Sequence, residues 1–178
     1  MGTMKFFMSL LICGLGFVGL PVHSKSNSDD MAAEVLGVYF TPPANAAAAI
    51  VKAIDTSERE VLVQAYGFTH NAIAQALVRA QERGVKVRVL LDKKSQTSNH
   101  YVIGVLQDAD IAVRQDGKHA IAHNKVMVID QELVITGSFN FTNSAETRNA
   151  ENVLILKSPD LALQYRLQWQ NHWAHGME

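Results

Sequence analysis

A histidine and a lysine separated by one residue are the residues of this chain best suited to chemistry. They lie in His123-Asn124-Lys125, and Asp130 and Gly137-Ser138-Phe139-Asn140 follow, so the spacing is H-x-K-x4-D-x6-G-S-x-N. Neutral imidazole is a good nucleophile near neutral pH. An ammonium is a cation, and hydroxyl and carboxamide groups are directional hydrogen-bond donors. Together these groups predict an anion-binding site that contains a nucleophile.

A phosphodiester is the substrate that these groups fit. It carries a negative charge, and its cleavage requires a cation and donors whose contacts strengthen in the transition state. Lys125 would supply the cation, and Ser138 and Asn140 would supply the donors. Gly137 lacks a Cβ atom and would let the backbone approach the phosphate closely.

The nucleophile would be His123, attacking phosphorus directly. Its second ring nitrogen would then need an acceptor that fixes the orientation of the ring. Glu151 is the best-placed candidate, because it begins the apolar segment 152–156. Glu146 is the nearby alternative.

The same residues resemble the HKD signature of the phospholipase D superfamily, and in particular its short, single-motif bacterial endonuclease branch. The resemblance covers about residues 30–178, and its specific part is 123–140 together with Glu151. It implies a phosphodiesterase that forms a covalent phosphohistidine intermediate and needs no metal ion. By position it makes His123 the nucleophile, Glu151 the residue that orients it, and Lys125, Ser138 and Asn140 the phosphate ligands.

The motif aspartate, Asp130, lies in the turn 130–132 between two short strands. Aspartate side chains commonly bind backbone amides in turns. We therefore expect Asp130, like Gly137, to support the structure of the motif.

Only one complete motif is present, because the other H-x-K, at His23-Ser24-Lys25, is not followed by G-S-x-N. The mechanism, however, needs a general acid for the leaving oxygen and a base for water. Larger members of the superfamily are similar to a tandem duplication with two motifs. The resemblance therefore implies a homodimer in which His123 of each copy faces the other across a two-fold axis. Two coupled histidines would give kcat/KM a bell-shaped pH dependence.

No metal site or other cofactor is expected. His119 and His123 are four residues apart, a spacing that would form part of a zinc site on a helix. The surroundings are strand-like, the turn 115–117 precedes His119, and no third group of ligands stands out. Trp169 and Trp173 are also four apart, and packing on the sheet is favoured over stacking on bases.

Strands and helices alternate along the chain. Strands are predicted at 34–40, 61–66, 85–91, 111–114, 126–129, 133–136 and 152–156, and helices at 44–55, 70–83, 99–107 and after Pro159. This pattern predicts an α/β fold in which one domain, residues 34–178, has a mixed sheet with helices on both faces. The polar segment 93–99 could be a solvated loop or could line a groove.

The amino-terminal segment predicts secretion. Lys5 precedes the uncharged apolar run 6–20, and small residues follow near position 24, so 1–24 is interpreted as a signal peptide and 25–33 as a flexible N-terminus. The expected location is periplasmic or extracellular, without stable membrane insertion. Cys13, the only cysteine, would be removed with this segment.

Net charge does not indicate a strongly basic nucleic-acid binder. Removing Lys5 leaves 15 basic against 17 acidic residues, a net charge of −2. Local basic clusters remain, namely Arg79, Arg83, Lys86 and Arg88, and separately Lys93 and Lys94.

Three functions fit these observations. The first is a metal-independent endonuclease of low sequence specificity, acting on DNA, with RNA as an alternative substrate. The second is a phospholipase D or phosphatidyl transferase, which should show an apolar rim or interfacial helix. The third is a non-catalytic binder of nucleic acid or anions.

Overall fold

A seven-stranded mixed sheet forms the centre of the protein. The computed structural model describes residues 32–177. The strands are β1 (Glu34–Thr41), β2 (Glu60–Ala65), β3 (Lys86–Asp92), β4 (Ala112–Asp116), β5 (Lys125–Ile129), β6 (Leu133–Gly137) and β7 (Glu151–Lys157). The helices are α1 (Ala46–Asp55), α2 (Asn71–Glu82), α3 (Gln96–Asp108), α4 (Asn143–Thr147) and α5 (Pro159–His175), and a single 3₁₀ turn covers Lys93–Ser95.

The expected signal peptide, residues 1–24, lies outside the described residues, as does most of the segment 25–33. Between residues 32 and 177, no helix has the length and apolarity needed to cross a bilayer.

The strand order is β1-β7-β6-β5-β2-β3-β4. Strands β2, β3 and β4 are parallel, and every other neighbouring pair is antiparallel. The expected mixed sheet is therefore confirmed. In the antiparallel half, β5 and β6 form a hairpin and α4 lies between β6 and β7, whereas α2 and α3 connect the parallel strands.

Helices cover both faces of the sheet, as the alternating pattern predicted. Alternate residues of β2 show the division: Val61 and Val63 pack in the larger core beneath α1, α2 and α3. Leu62 faces the other side, where it packs in a smaller core with Ala162 and Trp169 of α5. Both β2 and β5 are buried on both faces, and each carries a short apolar run, 61–63 in β2 and 126–129 in β5.

One end of the sheet collects the motif residues. Strands β2, β3, β4 and β6 finish at this end, and β5 and β7 begin there, because Ala65 pairs with Lys125 and Gly137 pairs with Val153. We call it the motif end of the sheet.

The polar segment 93–99 differs from the expected loop. It forms the 3₁₀ turn and the first residues of α3. Asp92 explains the turn, because its Oδ2 accepts hydrogen bonds from the backbone nitrogen and the hydroxyl of Ser95 at 3.1 and 3.3 Å. Asn99 is fully buried, and its Oδ1 accepts a hydrogen bond from the backbone nitrogen of Phe68 at 2.9 Å.

Candidate active site

His123 lies immediately before β5, at the motif end of the sheet. The strand begins only at Lys125, so His123 lies in the loop that precedes it. Its imidazole is exposed and lies against the ring of Tyr66, with 4.8 Å between the ring centroids. Among the described residues no hydrogen bond is made by either ring nitrogen. The ring is therefore open to a ligand.

Two contacts hold the main chain on either side of His123. The backbone nitrogen of Ala122 donates to Oδ1 of Asp92 at 2.7 Å. The backbone nitrogen of Tyr66 donates to the carbonyl of Asn124 at 3.0 Å. Sequence reasoning missed Asp92 and Tyr66 as supporting residues. The available signal was their position directly at the carboxyl ends of two buried strands, where sites in α/β sheets concentrate.

Lys125 is the buried cation of the site. Its side chain is 6% exposed, its Nζ donates to the carbonyl of His123 at 2.7 Å, and the ammonium lies 5.5 Å from the centroid of the Tyr66 ring. Burial lowers the pKa of Lys125, and the negative charge of Glu151 opposes that effect. An ammonium has three N–H donors, so two remain for an anion.

The carboxamide of Asn140 is oriented by the backbone. Its Oδ1 accepts a hydrogen bond from the nitrogen of Gly67 at 3.3 Å. Phe141, the next residue, donates its own backbone nitrogen to the carbonyl of Gly67 at 2.9 Å. Because the amide oxygen is used, the amide NH₂ is the group available to an anion. Asn140 lies in the loop that follows β6.

Ser138 and Glu151 form a hydrogen-bonded pair. The Ser138 hydroxyl donates to Oε2 of Glu151 at 2.5 Å and accepts a hydrogen bond from the backbone nitrogen of Asn152 at 3.1 Å. Asn149 donates to the other Glu151 oxygen at 3.2 Å. The hydroxyl proton is directed at a carboxylate, so Ser138 would donate to a phosphate only after exchanging that bond.

Of the two candidate carboxylates, Glu151 lies with the motif residues. The carboxylate of Glu146 instead accepts a hydrogen bond from the backbone nitrogen of Ala47 at 2.9 Å, at the start of α1. Within residues 32–177, no hydrogen bond joins Glu151 to His123. Its role in orienting the imidazole stays a prediction.

Asp130 lies at the opposite end of the strands, in the turn between β5 and β6. Its carboxylate accepts hydrogen bonds from the backbone nitrogens of Glu58, Arg59 and Glu60 at 2.9, 2.7 and 2.9 Å. The turn uses positive φ angles of 54° at Asp130 and 61° at Gln131. These contacts fix the segment before β2 to the turn and belong to the structure of the sheet.

Gly137 has a steric role. It has a φ of +152°, and a Cβ atom there would lie 2.2 Å from the carbonyl oxygen of Asn152. That oxygen accepts the backbone hydrogen bond of Ser138 at 3.1 Å. Glycine thus allows β6 and β7 to approach closely where Ser138 leaves the strand.

The two basic clusters of the sequence lie in different parts of the structure. Arg79 makes an ion pair with Asp55 at 2.9 Å, and Arg88 stacks over the buried Trp169 ring at 4.9 Å. Arg79 and Arg88 thus lie away from the motif end, and their contacts stabilise the fold. Lys93 and Lys94 are exposed and follow β3 at the motif end.

Sequence reasoning also missed a group of histidines. His119 does not pair with His123; it lies beside Asp116, His172 and His175, and one potential ligand atom from each of the four falls within 4.8 Å of the others. The expectation that His119 has no further ligands nearby is therefore wrong. Residues separated by more than fifty positions meet here, and no local sequence signal predicts that.

The tryptophans pack on the sheet, as expected. Trp169 is 1% exposed and donates its indole nitrogen to the carbonyl of Val63 at 2.9 Å. Trp173 stacks on it with 4.8 Å between ring centroids.

Comparison with known proteins agrees with the motif. Residues 50–173 match the family model described as cardiolipin synthase, PLD-like domain. A protein named phospholipase D from Rickettsia conorii is 44% identical over 148 residues, which is 83% of this chain and 74% of that protein. The chain belongs to the phospholipase D superfamily. Another relative, a mitochondrial cardiolipin hydrolase from Chlamydomonas reinhardtii, is 32% identical over 67% of this chain and 54% of its own length.

A solved structure shows the same fold. The phospholipase D family member Nuc from Salmonella typhimurium superposes with a TM-score of 0.78 and 34% identity, covering 82% of this chain and 97% of that one. Proteins of this superfamily are phosphodiesterases, and this chain is a hydrolase of phosphodiester bonds. The non-catalytic alternative is set aside.

Proposed function

We propose that the protein is a nonspecific endonuclease that cleaves DNA, with RNA as an alternative substrate, through a phosphohistidine intermediate without a catalytic metal ion. The observation that carries this proposal is the exposed imidazole of His123 next to the buried ammonium of Lys125. A nucleophile and a cation are thereby paired at a solvent-accessible point. The Asn140 amide adds a neutral donor.

The reaction would proceed in two displacements. A ring nitrogen of His123 attacks phosphorus, the bond to one ester oxygen breaks, and that oxygen leaves with a proton from a general acid. Water then attacks the phosphohistidine, giving up its proton to the same acid–base group, and the histidine is released. Lys125 and Asn140 would stabilise the negative charge on the non-bridging oxygens in both steps.

The general acid would be His123 of a second copy of the chain. Support comes from an uncovered part of the α5 face of the sheet, where β1 and β7 extend beyond the helix. Val38 and Phe40 on this face are 49% and 66% exposed, and Phe40 pairs with Asn152 next to the motif residues. An apolar surface that adjoins the site suits a two-fold contact bringing two sites together.

The exposed lysines at the motif end favour a polyanionic substrate. Lys93 and Lys94 follow β3, and Lys118 follows β4, which ends beside β3. A nucleic acid would extend past the cleaved phosphate, and its neighbouring phosphates would meet these charges.

Plasmid nicking in excess EDTA tests the activity. The wild-type protein should nick DNA, and His123→Ala should lower kcat by about 10³-fold or more, as removal of a covalent nucleophile does. His100→Ala is the matched control, because His100 is exposed on α3. Normal nicking by His123→Ala would contradict the mechanism.

Charge reversal tests the substrate class. Lys93→Glu combined with Lys94→Glu should raise KM for DNA and reduce its salt dependence, while hydrolysis of a small aryl phosphodiester stays unchanged. Lys86→Glu is the control, since Lys86 is exposed at the other end of β3. Equal effects of the two charge changes on DNA would count against a nucleic acid lying along the motif end.

Light scattering tests the dimer. Phe40→Asp should yield a monomer with little activity, whereas Tyr101→Asp should remain a dimer, because Tyr101 is 58% exposed on α3. A fully active monomeric wild-type protein would refute the shared site.

Phospholipid hydrolysis is the second candidate. The names of the relatives favour it, and so does Ile121, an apolar side chain that is 53% exposed two residues before His123. The EDTA assay repeated with phosphatidylcholine and cardiolipin vesicles separates the two functions. Lipid cleavage without DNA nicking would replace the nuclease proposal.

A further inference from the structure

Four potential metal ligands meet behind the loop that leads to His123. Asp116 ends β4, His119 lies in the following loop, and His172 and His175 lie in the last turns of α5. Nδ1 of His119 and Nδ1 of His172 lie 2.9 and 3.1 Å from Oδ2 of Asp116, and Nε2 of His175 lies 3.4 Å from its Oδ1. Three imidazole nitrogens therefore surround one carboxylate.

These separations fit a tetrahedral ion. Zinc binds imidazole nitrogen and carboxylate oxygen at about 2.0 to 2.1 Å, so its tetrahedral ligands lie about 3.4 Å apart. One ligand atom from each of the four residues falls within 4.8 Å of the others. Small rotations of the exposed His119 side chain, 42% accessible, and of His175, 23% accessible, would bring the set to that spacing.

Hydrogen bonds alone leave this cluster incompletely satisfied. Nε2 of His175 is buried and makes no hydrogen bond within the described part of the chain. Nδ1 of His172 lies 2.9 Å from the amide nitrogen of Gln64 and 3.1 Å from the Asp116 carboxylate. One ring nitrogen cannot accept a hydrogen bond from an amide and donate a hydrogen bond to a carboxylate at the same time.

The surroundings resemble those of a prepared metal site. Asp116 is fully buried, and its Oδ1 also accepts hydrogen bonds from the backbone nitrogens of Lys118 and His119 at 3.0 and 3.3 Å. The second ring nitrogen of His172 lies 2.8 Å from the Gln168 side chain. Outer contacts of this kind fix the orientation of metal-binding groups.

We propose that Asp116, His119, His172 and His175 bind one zinc ion. Four protein ligands fill a tetrahedral shell, so the ion would have a structural role and would leave no position for a reacting water. It would join the loop 117–124, which carries His123, to the end of α5. The neighbouring pairing of Gln115 with Met177, through hydrogen bonds of 2.7 and 2.9 Å, already ties these segments together.

Metal content and competition titration test the proposal. Protein stripped with a chelator and dialysed should bind one Zn²⁺ per chain from a chromophoric chelator. Co²⁺ in place of Zn²⁺ should give the visible absorption bands of a tetrahedral complex. His172→Gln combined with His175→Gln should lower zinc affinity by more than roughly 100-fold, since it removes half of the ligands.

Thermal unfolding gives a second readout. At a free Zn²⁺ concentration of about 100 times Kd, the wild-type Tm should rise by roughly 5 to 10 °C, and the double variant should show no rise. The variant must match the metal-free wild type in circular dichroism and Tm, which separates loss of the ligands from misfolding. His100→Gln is the control and should bind zinc normally.

The zinc proposal and the nuclease proposal fail separately. His123→Ala should keep its zinc, because His123 is not among the four ligands, although it should have no activity. Absence of 1:1 binding, or binding that the double variant retains, would show that the cluster is a hydrogen-bonded histidine network and would overturn the zinc proposal. Nicking by the double variant, compared with that of the wild type in EDTA, separates the chemistry at His123 from any effect of the ion on the loop 117–124.

Discussion

The ammonium of Lys125 lies 2.7 Å from the carbonyl oxygen of His123, so the cation of the site also holds the main chain of the nucleophile. Both residues depend on the start of β5, where the strand fixes Lys125 and leaves His123 in solvent. A change at Lys125 is therefore expected to affect charge and position together.

Anion binding should weaken at alkaline pH. Burial lowers the pKa of Lys125 below its usual 10.5, so the ammonium is lost at a lower pH than that of an exposed lysine. Affinity for sulfate, whose charge is constant over this range, should be highest near neutral pH and fall as pH rises toward about 10. Calorimetric titration at several pH values measures this.

Lys125→Arg is the matched variant for that experiment, because a guanidinium stays protonated throughout. Any sulfate binding that it retains should be insensitive to alkaline pH. A wild-type profile as flat as that of the arginine variant would contradict the assignment of Lys125 to the anion.

Gly137→Ala should destabilise the protein and the site. The new Cβ atom would overlap the Asn152 carbonyl and disturb the backbone hydrogen bond of Ser138. We expect a loss of about 2 to 3 kcal/mol in the free energy of unfolding, measured in urea, together with reduced kcat.

Gly104→Ala is its control. Gly104 lies within α3, and a Cβ atom there meets nothing within 4 Å. This change should raise stability by about 0.5 to 1 kcal/mol through helix propensity, with activity unchanged. If both alanine variants behaved alike, the close approach at Gly137 would be irrelevant.

Asp130→Ala should lower stability without acting on the chemistry. Three backbone amides lose their acceptor, which we expect to cost about 1 to 3 kcal/mol in urea unfolding. Asp130→Asn keeps one acceptor oxygen and should lose less. At a temperature where both variants are folded, kcat should equal that of the wild type; a large fall in kcat would assign Asp130 to catalysis.

Mild acid should destabilise the protein partly through His70. Burial lowers the pKa of His70 below 6.5, with the charge of Glu146 opposing, so the unfolded chain binds the proton first as pH falls. The contribution of neutral His70 to the free energy of unfolding should be fully present above pH 6.5. It should be lost as pH falls toward the lowered pKa. His70→Asn should reduce the slope of unfolding free energy between about pH 6.5 and pH 5, while His100→Asn should leave it unchanged. Identical slopes for all three proteins would exclude this role.

The fold could be predicted well because its elements have strong local signals. Apolar β-branched runs marked β2, β3, β5 and β6, and α2 lies within the helix predicted at 70–83. The helical turns of the segment 93–99 were not predicted, because hydrogen bonds of Asp92 and Asn99 stabilise them in a polar sequence. Local propensity does not report such contacts.

The motif identified the site residues, but their hydrogen bonds could not be read from spacing. Glu151 was expected beside His123, whereas its carboxylate is occupied by Ser138 and Asn149. Spacing also could not show which basic residues are paired, because Arg79 meets Asp55 only once α1 and α2 pack together. The histidine cluster depends on β4 lying beside the end of α5, which no local pattern encodes.

The pairing of Met177 with Gln115 has a practical consequence for handling the protein. A segment attached directly after residue 178 would start one residue from that bridge, next to Asp116. A polyhistidine purification tag in that position would offer foreign imidazoles to the same ion. Samples for metal analysis should therefore carry their tag elsewhere or have it cut off first.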